Sequence, residues 1–294
     1  MAKIDKSQYT KDEWRIVREQ RRELKRQRKA KHDAEKIEQP VEQPIEQAVV
    51  SPPVIPFEDD GVDRFVLCLK HGNKYSAEYV NILHRMVKRH LTLPYTFCCL
   101  TEDPKGLDKD IRVIPLPQGL TGWWCKPYMF SKDLPIKGDI LYLDLDVVIA
   151  RNIDKLFTYH PNAWCTIRDF TRAMRPKWQK YNSSVVRFKT GQLDHVWTDF
   201  NKNKVNIQKK FFGDQDWLYH RVGGQAVLYP DNWILSWKWE VRKSKEWAPN
   251  GRKGNRTFKD IENVTPRPEC CIAVFHGDPN PANCQDPWVR ENWQ

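Results

Sequence analysis

Residues 140–149 read I-L-Y-L-D-L-D-V-V-I, an apolar run that ends on two aspartates, Asp144 and Asp146, two positions apart. A short apolar run bounded by Gly138 and Asp139 reads as a buried strand, and the strand end exposes both carboxylates. In open α/β sheets, ligands collect outside the carboxyl ends of the strands. A hard divalent cation such as Mg²⁺ or Mn²⁺ takes carboxylate oxygens together with substrate phosphate oxygens, so the pair suits a nucleoside diphosphate carried with its metal.

The flanking sequence fits such a sheet. Residues 64–70, 95–100, 111–115 and 139–143 read as strands. Between them, residues 76–90 form a helical pattern with Val80, Leu83 and Val87 on one face and Ser76 as candidate cap, and residues 124–132 suggest another helix. Strands alternating with helices imply a mainly parallel sheet. The segments just after the strands, 71–75, 101–103 and 144–146, are then the ligand-facing ones. Further on, strands are expected at 163–167, 183–188 and 271–275, and helices at 191–203 and 214–221.

The chain of 294 residues is 40% apolar and 12% aromatic, enough for a sizeable core. Its formal net charge is +11, yet residues 1–60 carry 13 basic and 13 acidic side chains, so the excess lies in the body and favours an anionic ligand there. Residues 1–37 read as a basic polar helix or disordered tail. Residues 38–60, with E-Q-P-V-E-Q-P-I-E-Q, read as a proline- and glutamate-rich linker, and 61–294 as the folded domain. The tail lacks a sustained heptad, and its positive cluster at residues 15–31 suits weak contact with an anionic surface. No segment has the length and apolarity of a membrane span or signal peptide, and the eight cysteines show no zinc-ligand spacing. The expected setting is therefore cytoplasmic, with the cysteines packed as small hydrophobes.

Two families share an apolar strand running into D-x-D. The haloacid-dehalogenase phosphatases place such a motif at the start of their core and follow it with G-D-x-x-x-D; here three strands precede it and that second motif is missing. The sequence resembles more fully the D-x-D glycosyltransferases of the GT-A fold, especially glycosyltransferase family 8. W-W-C-K (123–126), Y-N-S-S-V-V (181–186), G-D-Q-D-W-L (213–218) and F-H-G-D-P-N-P (275–281) follow in that family's order. The resemblance implies a Rossmann-type, mainly parallel sheet flanked by helices, and a nucleotide-sugar donor, expected to be a UDP-sugar.

It also implies roles. Asp144, Asp146 and His276 would bind Mn²⁺ or Mg²⁺, with Asp144 also near the donor ribose. Lys126 would meet the donor diphosphate. Asp214 and Gln215 would stand beside the reacting sugar, and Asn182 and Ser183 would shape its pocket, although Ser184 replaces the usual glycine. Gly72 and Tyr75 would meet the base and ribose, and Gly277 and Asn280 belong to the turn that follows the histidine. At Asn280 family members commonly carry a lysine, so neutralisation of the leaving group would fall to the metal, Lys126 and an arginine such as Arg168 or Arg172. Each residue also has a plainer structural role: strand-end acids, a core histidine, a surface lysine, helix-opening aspartates. The run W-I-L-S-W-K-W (233–239) fits either core packing or a face for an acceptor sugar.

The reading is a metal-dependent hexosyltransferase acting on a hydroxyl acceptor, a glycan, lipid or protein, with retention implied by the resemblance. Asp214 or Asp216 would serve as base in an inverting enzyme. A sugar-nucleotide-binding protein without turnover is the alternative that Asn280 keeps open.

Overall fold

The computed structural model describes residues 64–242 and 265–294. The tail and linker expected over residues 1–60 lie outside the described residues. Strand β1 (Arg64–Lys70) leads through helix α1 (Ala77–His90) to β2 (Thr96–Thr101) and β3 (Arg112–Pro115), and a turn of 3₁₀ helix (Gly122–Phe130) precedes β4 (Asp139–Leu143). Then follow β5 (Val147–Ile149), α2 (Lys155–Thr158), β6 (Cys165–Arg168), β7 (Tyr181–Lys189), α3 (Asp194–Lys202), α4 (Lys204–Lys210) and α5 (Asp214–Val222). The described chain closes with β8 (Val227–Leu228), β9 (Ile234–Ser236), β10 (Ile272–Val274) and α6 (Pro287–Asn292).

Seven strands form one sheet in the order β3-β2-β1-β4-β7-β6-β8. Pairings from β3 to β4 are parallel, β7 runs antiparallel to both β4 and β6, and β8 is again parallel to β6, so the sheet is mixed and mainly parallel as expected. Its two faces are both buried. Val66 and Cys68 of β1 and Leu141 and Leu143 of β4 belong to one core, while Phe65, Leu67, Ile140 and Tyr142 belong to the other. Successive side chains of a strand point to opposite faces, and a strand covered on both sides reads as an uninterrupted apolar run, which is what marked these segments in the sequence. A second sheet, β5-β10-β9, grows from the strand just after the aspartates, with Val274 paired to Val147.

Two local expectations change. Residues 122–130 form a 3₁₀ rather than an α-helix, because Pro127 lies inside the segment, lacks an N–H and clashes with the carbonyl an α-turn back. Ser76 does precede α1, but its side chain makes no capping bond; its carbonyl instead accepts from the Tyr79 N–H at 3.2 Å. All eight cysteines are buried and free. Among the described residues no helix is long and apolar enough to cross a membrane.

Candidate active site

The β4–β7 pairing sets the site. Leu143 faces Val185, and the Asp144 N–H donates to the Ser184 carbonyl at 2.9 Å, which brings residues 182–184 against Asp144. The Asn182 side chain is used locally, its Oδ1 accepting from the Ser184 N–H at 2.9 Å. Ser183 Oγ donates to Asp214 Oδ2 at 2.7 Å, and the Ser183 N–H donates to Gln215 Oε1 at 3.3 Å, so β7 carries the start of α5 into the same cluster. Gln215 in turn donates to Asp169 at 3.1 Å.

Lys126 enters from the 3₁₀ helix. Its Nζ lies 2.8 Å from Asp144 Oδ1, 3.2 Å from Ser183 Oγ and 3.8 Å from Asp214 Oδ2. Burial opposes the ammonium charge, but Asp144 and Asp214 outweigh it and hold the lysine pKa above its ordinary value. Asp214 is pushed up by burial, against the pull of Lys126 and the Ser183 hydrogen bond. Tyr142 donates to Asp144 Oδ1 at 2.8 Å. Lying two residues earlier on the strand, Tyr142 shares the side of Asp144, a relationship that period-two alternation makes readable in the sequence.

Asp146 is held separately. Tyr75 donates its hydroxyl to Asp146 Oδ2 at 2.8 Å and packs its ring on Tyr79 at 4.8 Å, so its phenol braces this acid. Burial, then the charge of Asp144, raise the Asp146 carboxyl to about 6. Two half-buried acids whose charges act on one another are an arrangement that a cation relieves, and in that respect the carboxylate pair fits a hard divalent ion.

His276 sits behind Asp146: the Phe275 N–H donates to the Asp146 carbonyl at 2.9 Å. Its Nε2 is 2.7 Å from Ser236 Oγ, and its ring lies between Phe170 and Trp239, with centroids at 5.6 and 4.5 Å. Among the described residues no three His, Cys, Asp or Glu side chains stand grouped to hold a metal ion. Here Asp144, Asp146 and His276 are each satisfied by a different protein partner.

The remaining expected residues lie around this core. Gly72, at φ +63°, follows β1 and donates its N–H to Glu102 Oε1 at 2.6 Å. Gly277 has φ +77°, a conformation open to glycine, and the position its Cβ would take is 3.5 Å from Lys238 Nζ. Lys238, buried and donating to the His276 carbonyl at 2.9 Å, had no signal in the sequence. Asn280 opens a short 3₁₀ turn through its backbone, its carbonyl accepting from Asn283 at 3.0 Å.

Arg168 and Arg172 are committed elsewhere: Arg168 pairs with Asp231, and the buried Arg172 donates to Glu240 at 2.9 Å and to the Ile234 carbonyl at 2.7 Å. The core reading holds for Trp237, which stacks on Phe275 at 4.9 Å and donates to Asp286 at 2.8 Å; Trp233 and Trp239 pack against the same core.

No known family model matches this sequence, and no curated protein does. Solved structures do. The galactosyltransferase LgtC, crystallised with donor and acceptor sugar analogues, superposes with a TM-score of 0.53 at 12% identity over 77% of this chain and 93% of that one. The glycosyltransferase GlyE of Streptococcus pneumoniae TIGR4 gives 0.55 at 13% identity over 78% of this chain and 62% of its own. The bifunctional glycosyltransferase WbbM gives 0.50 at 12% identity, over 82% and 52%. At such identities the likeness is one of fold: the chain has the α/β fold of the GT-A glycosyltransferases.

Proposed function

We propose that the chain is a glycosyltransferase that moves a hexose from a nucleoside-diphosphate sugar, a UDP-sugar by preference, to a hydroxyl acceptor. The observation that carries this reading is the cluster of Lys126, Asp144, Ser183 and Asp214 at the carboxyl end of β4, where an open sheet gathers its ligands. A group of two acids with one ammonium, largely screened from solvent, suits a substrate that brings both an anionic diphosphate and a polyhydroxylated sugar.

In this reading Lys126 exchanges Asp144 for a diphosphate oxygen and lends it a point charge as the sugar departs. Asp214 and Gln215, already joined to Ser183, orient sugar hydroxyls, with Asn182 shaping the same wall. Gly72 and Tyr75 border the nucleoside side, and Gly277 and Asn280 the diphosphate side. Asp144 and Asp146 would hold Mn²⁺ or Mg²⁺, and His276 would join as third ligand by giving up its contact with Ser236; bound there, the ion would supply Lewis-acid stabilisation of the leaving diphosphate. Retention of anomeric configuration is part of the proposal and rests on the family resemblance. A binding protein without turnover is the second reading, favoured by Asn280, which offers a hydrogen bond but no charge beside the His276 turn.

The test is manganese-dependent release of nucleoside diphosphate from a panel of UDP- and GDP-sugars, with and without Asp146→Ala. Release by the unaltered chain that the substitution abolishes supports the transferase. Nucleotide binding with no release from any sugar, also in the presence of hydroxyl acceptors, favours the binding protein.

A further inference from the structure

Residues 200–213 read F-N-K-N-K-V-N-I-Q-K-K-F-F-G, four lysines and no acid. Lys202, Lys209 and Lys210 are exposed and Lys204 partly so. Among the described residues none of the four enters an ion pair, and the preceding acid, Asp199, is taken by Arg221. The positive charge of this stretch is therefore left to the solvent side.

The same stretch exposes large apolar groups. Ile207 is the one buried residue of α4, so Val205, 64% exposed, faces water one helical turn from Lys209 and on the same side. Past α4 the backbone is extended at Phe211, whose ring packs inward on Trp217 at 5.4 Å. Alternation then turns Phe212 outward, where it is 91% exposed. Trp123, 57% exposed, joins this surface: its indole Nε1 is 3.6 Å from the position a Cβ on Gly213 would take. Trp124 stacks on Phe200 of α3 with centroids 5.4 Å apart, so the 3₁₀ helix, α3 and α4 form one layer and share an outer surface.

We infer that this outer surface is a membrane-docking face, which rests on a bilayer rich in anionic phospholipid. The inference is independent of the transferase reading. Unpaired ammonium groups meet phosphate headgroups, while an indole, a phenyl and an isopropyl group enter the boundary between headgroups and acyl chains. The pairing of the two chemistries selects this partner. Lysine is depleted in the interfaces of protein complexes. A nucleic acid would meet the amines and stack on the rings but gives an aliphatic group such as Val205 no apolar phase to enter.

The test is co-sedimentation of the full chain with vesicles of phosphatidylcholine alone and of an equimolar mixture with phosphatidylglycerol. Binding should require the anionic lipid and weaken as salt is added. Lys209→Gln with Lys210→Gln should lower the partition coefficient about twentyfold, at about fivefold for each lysine near the surface. Phe212→Ser with Val205→Ser should lower it about tenfold, and Phe212→Ser alone by less. All four side chains are exposed, so the variants keep the core, which circular dichroism checks.

Binding that survives both pairs of substitutions would be held by residues 15–31 and would overturn the inference, as would equal binding to the two kinds of vesicle. Loss in the lysine variant with no change in the Phe212 and Val205 variants would overturn it too, because it would leave charge alone. So would tighter binding to single-stranded RNA than to the mixed vesicles, which would assign the face to nucleic acid.

Discussion

Lys126 and Asp144, eighteen residues apart in sequence, meet with Nζ 2.8 Å from Oδ1, and both side chains are largely screened from solvent. The pair is thus the internal charge balance of the site. Replacing Lys126 by Met leaves Asp144 and Asp214 without their cation, a change that costs up to about 3–5 kcal/mol when an ion pair is fully buried and less here. The expected outcome is a lower melting temperature together with a loss of about a hundredfold or more in nucleoside-diphosphate release. Lys126→Arg, which keeps the charge, should recover most of the stability and part of the rate.

How much of this arrangement was legible is uneven, for physical reasons. Strands β1, β2 and β4 are apolar on both faces, and that uninterrupted run is itself their signature; the acids after β4 then follow from where such strands end. Asp214 and Ser183 came from motif order, and the structure joins them through a hydrogen bond that no spacing encodes. The bond from Tyr142 to Asp144 is readable from strand alternation alone. Lys238 was unreadable, because its approach to Gly277 depends on how β9 and β10 pair, a contact between segments about 40 residues apart. The helix at 124–132 failed on a visible proline, whose geometric effect outweighs the favourable residues around it.

The ammonium of Lys238 beside Gly277 gives a second prediction. If the donor diphosphate rests on the turn from His276 to Asn280, Lys238 brings to it a charge that Asn280 does not. Lys238→Met should weaken UDP about tenfold in isothermal titration, and Asn280→Lys in the same chain should restore much of the loss. Asn280→Lys failing to restore binding would remove the diphosphate from this turn.

A third prediction concerns acid stability. His84, His90, His195 and His220 all have their pKa lowered in the fold, in each case first by burial of the imidazole, with neighbouring cations contributing. For a group whose folded pKa lies below its unfolded value, the unfolded chain binds the proton more readily. Stability is therefore highest above the unfolded value of about 6.5 and falls as the pH drops through it. Melting temperatures measured from pH 8 to pH 5 should decline across that window. His84, whose ring packs on Phe97 at 4.9 Å, is a suitable probe, and His84→Gln should flatten the decline.

The fourth prediction lies away from the site, at Arg187, which is fully buried on β7. Its guanidinium donates to the carbonyls of Tyr159, Pro161 and Ala163 at 2.9, 2.9 and 2.8 Å and to that of His160 at 2.6 Å. That loop, which turns through His160 at φ +44°, connects α2 to β6 and thereby fixes one strand of the main sheet. Its inward carbonyls need donors, and a planar fork with five N–H groups can supply several at once. Arg187→Met keeps much of the volume and removes every donor, leaving buried acceptors that cost about 1–3 kcal/mol each. A net loss of about 3 kcal/mol corresponds to a fall of about 6–12 °C in melting temperature for a domain of this size. Arg187→Lys, with three donors on a single nitrogen, should fall between, because it reaches fewer of the four carbonyls. Equal melting temperatures for Arg187→Met and the unaltered chain would show that the loop finds other donors.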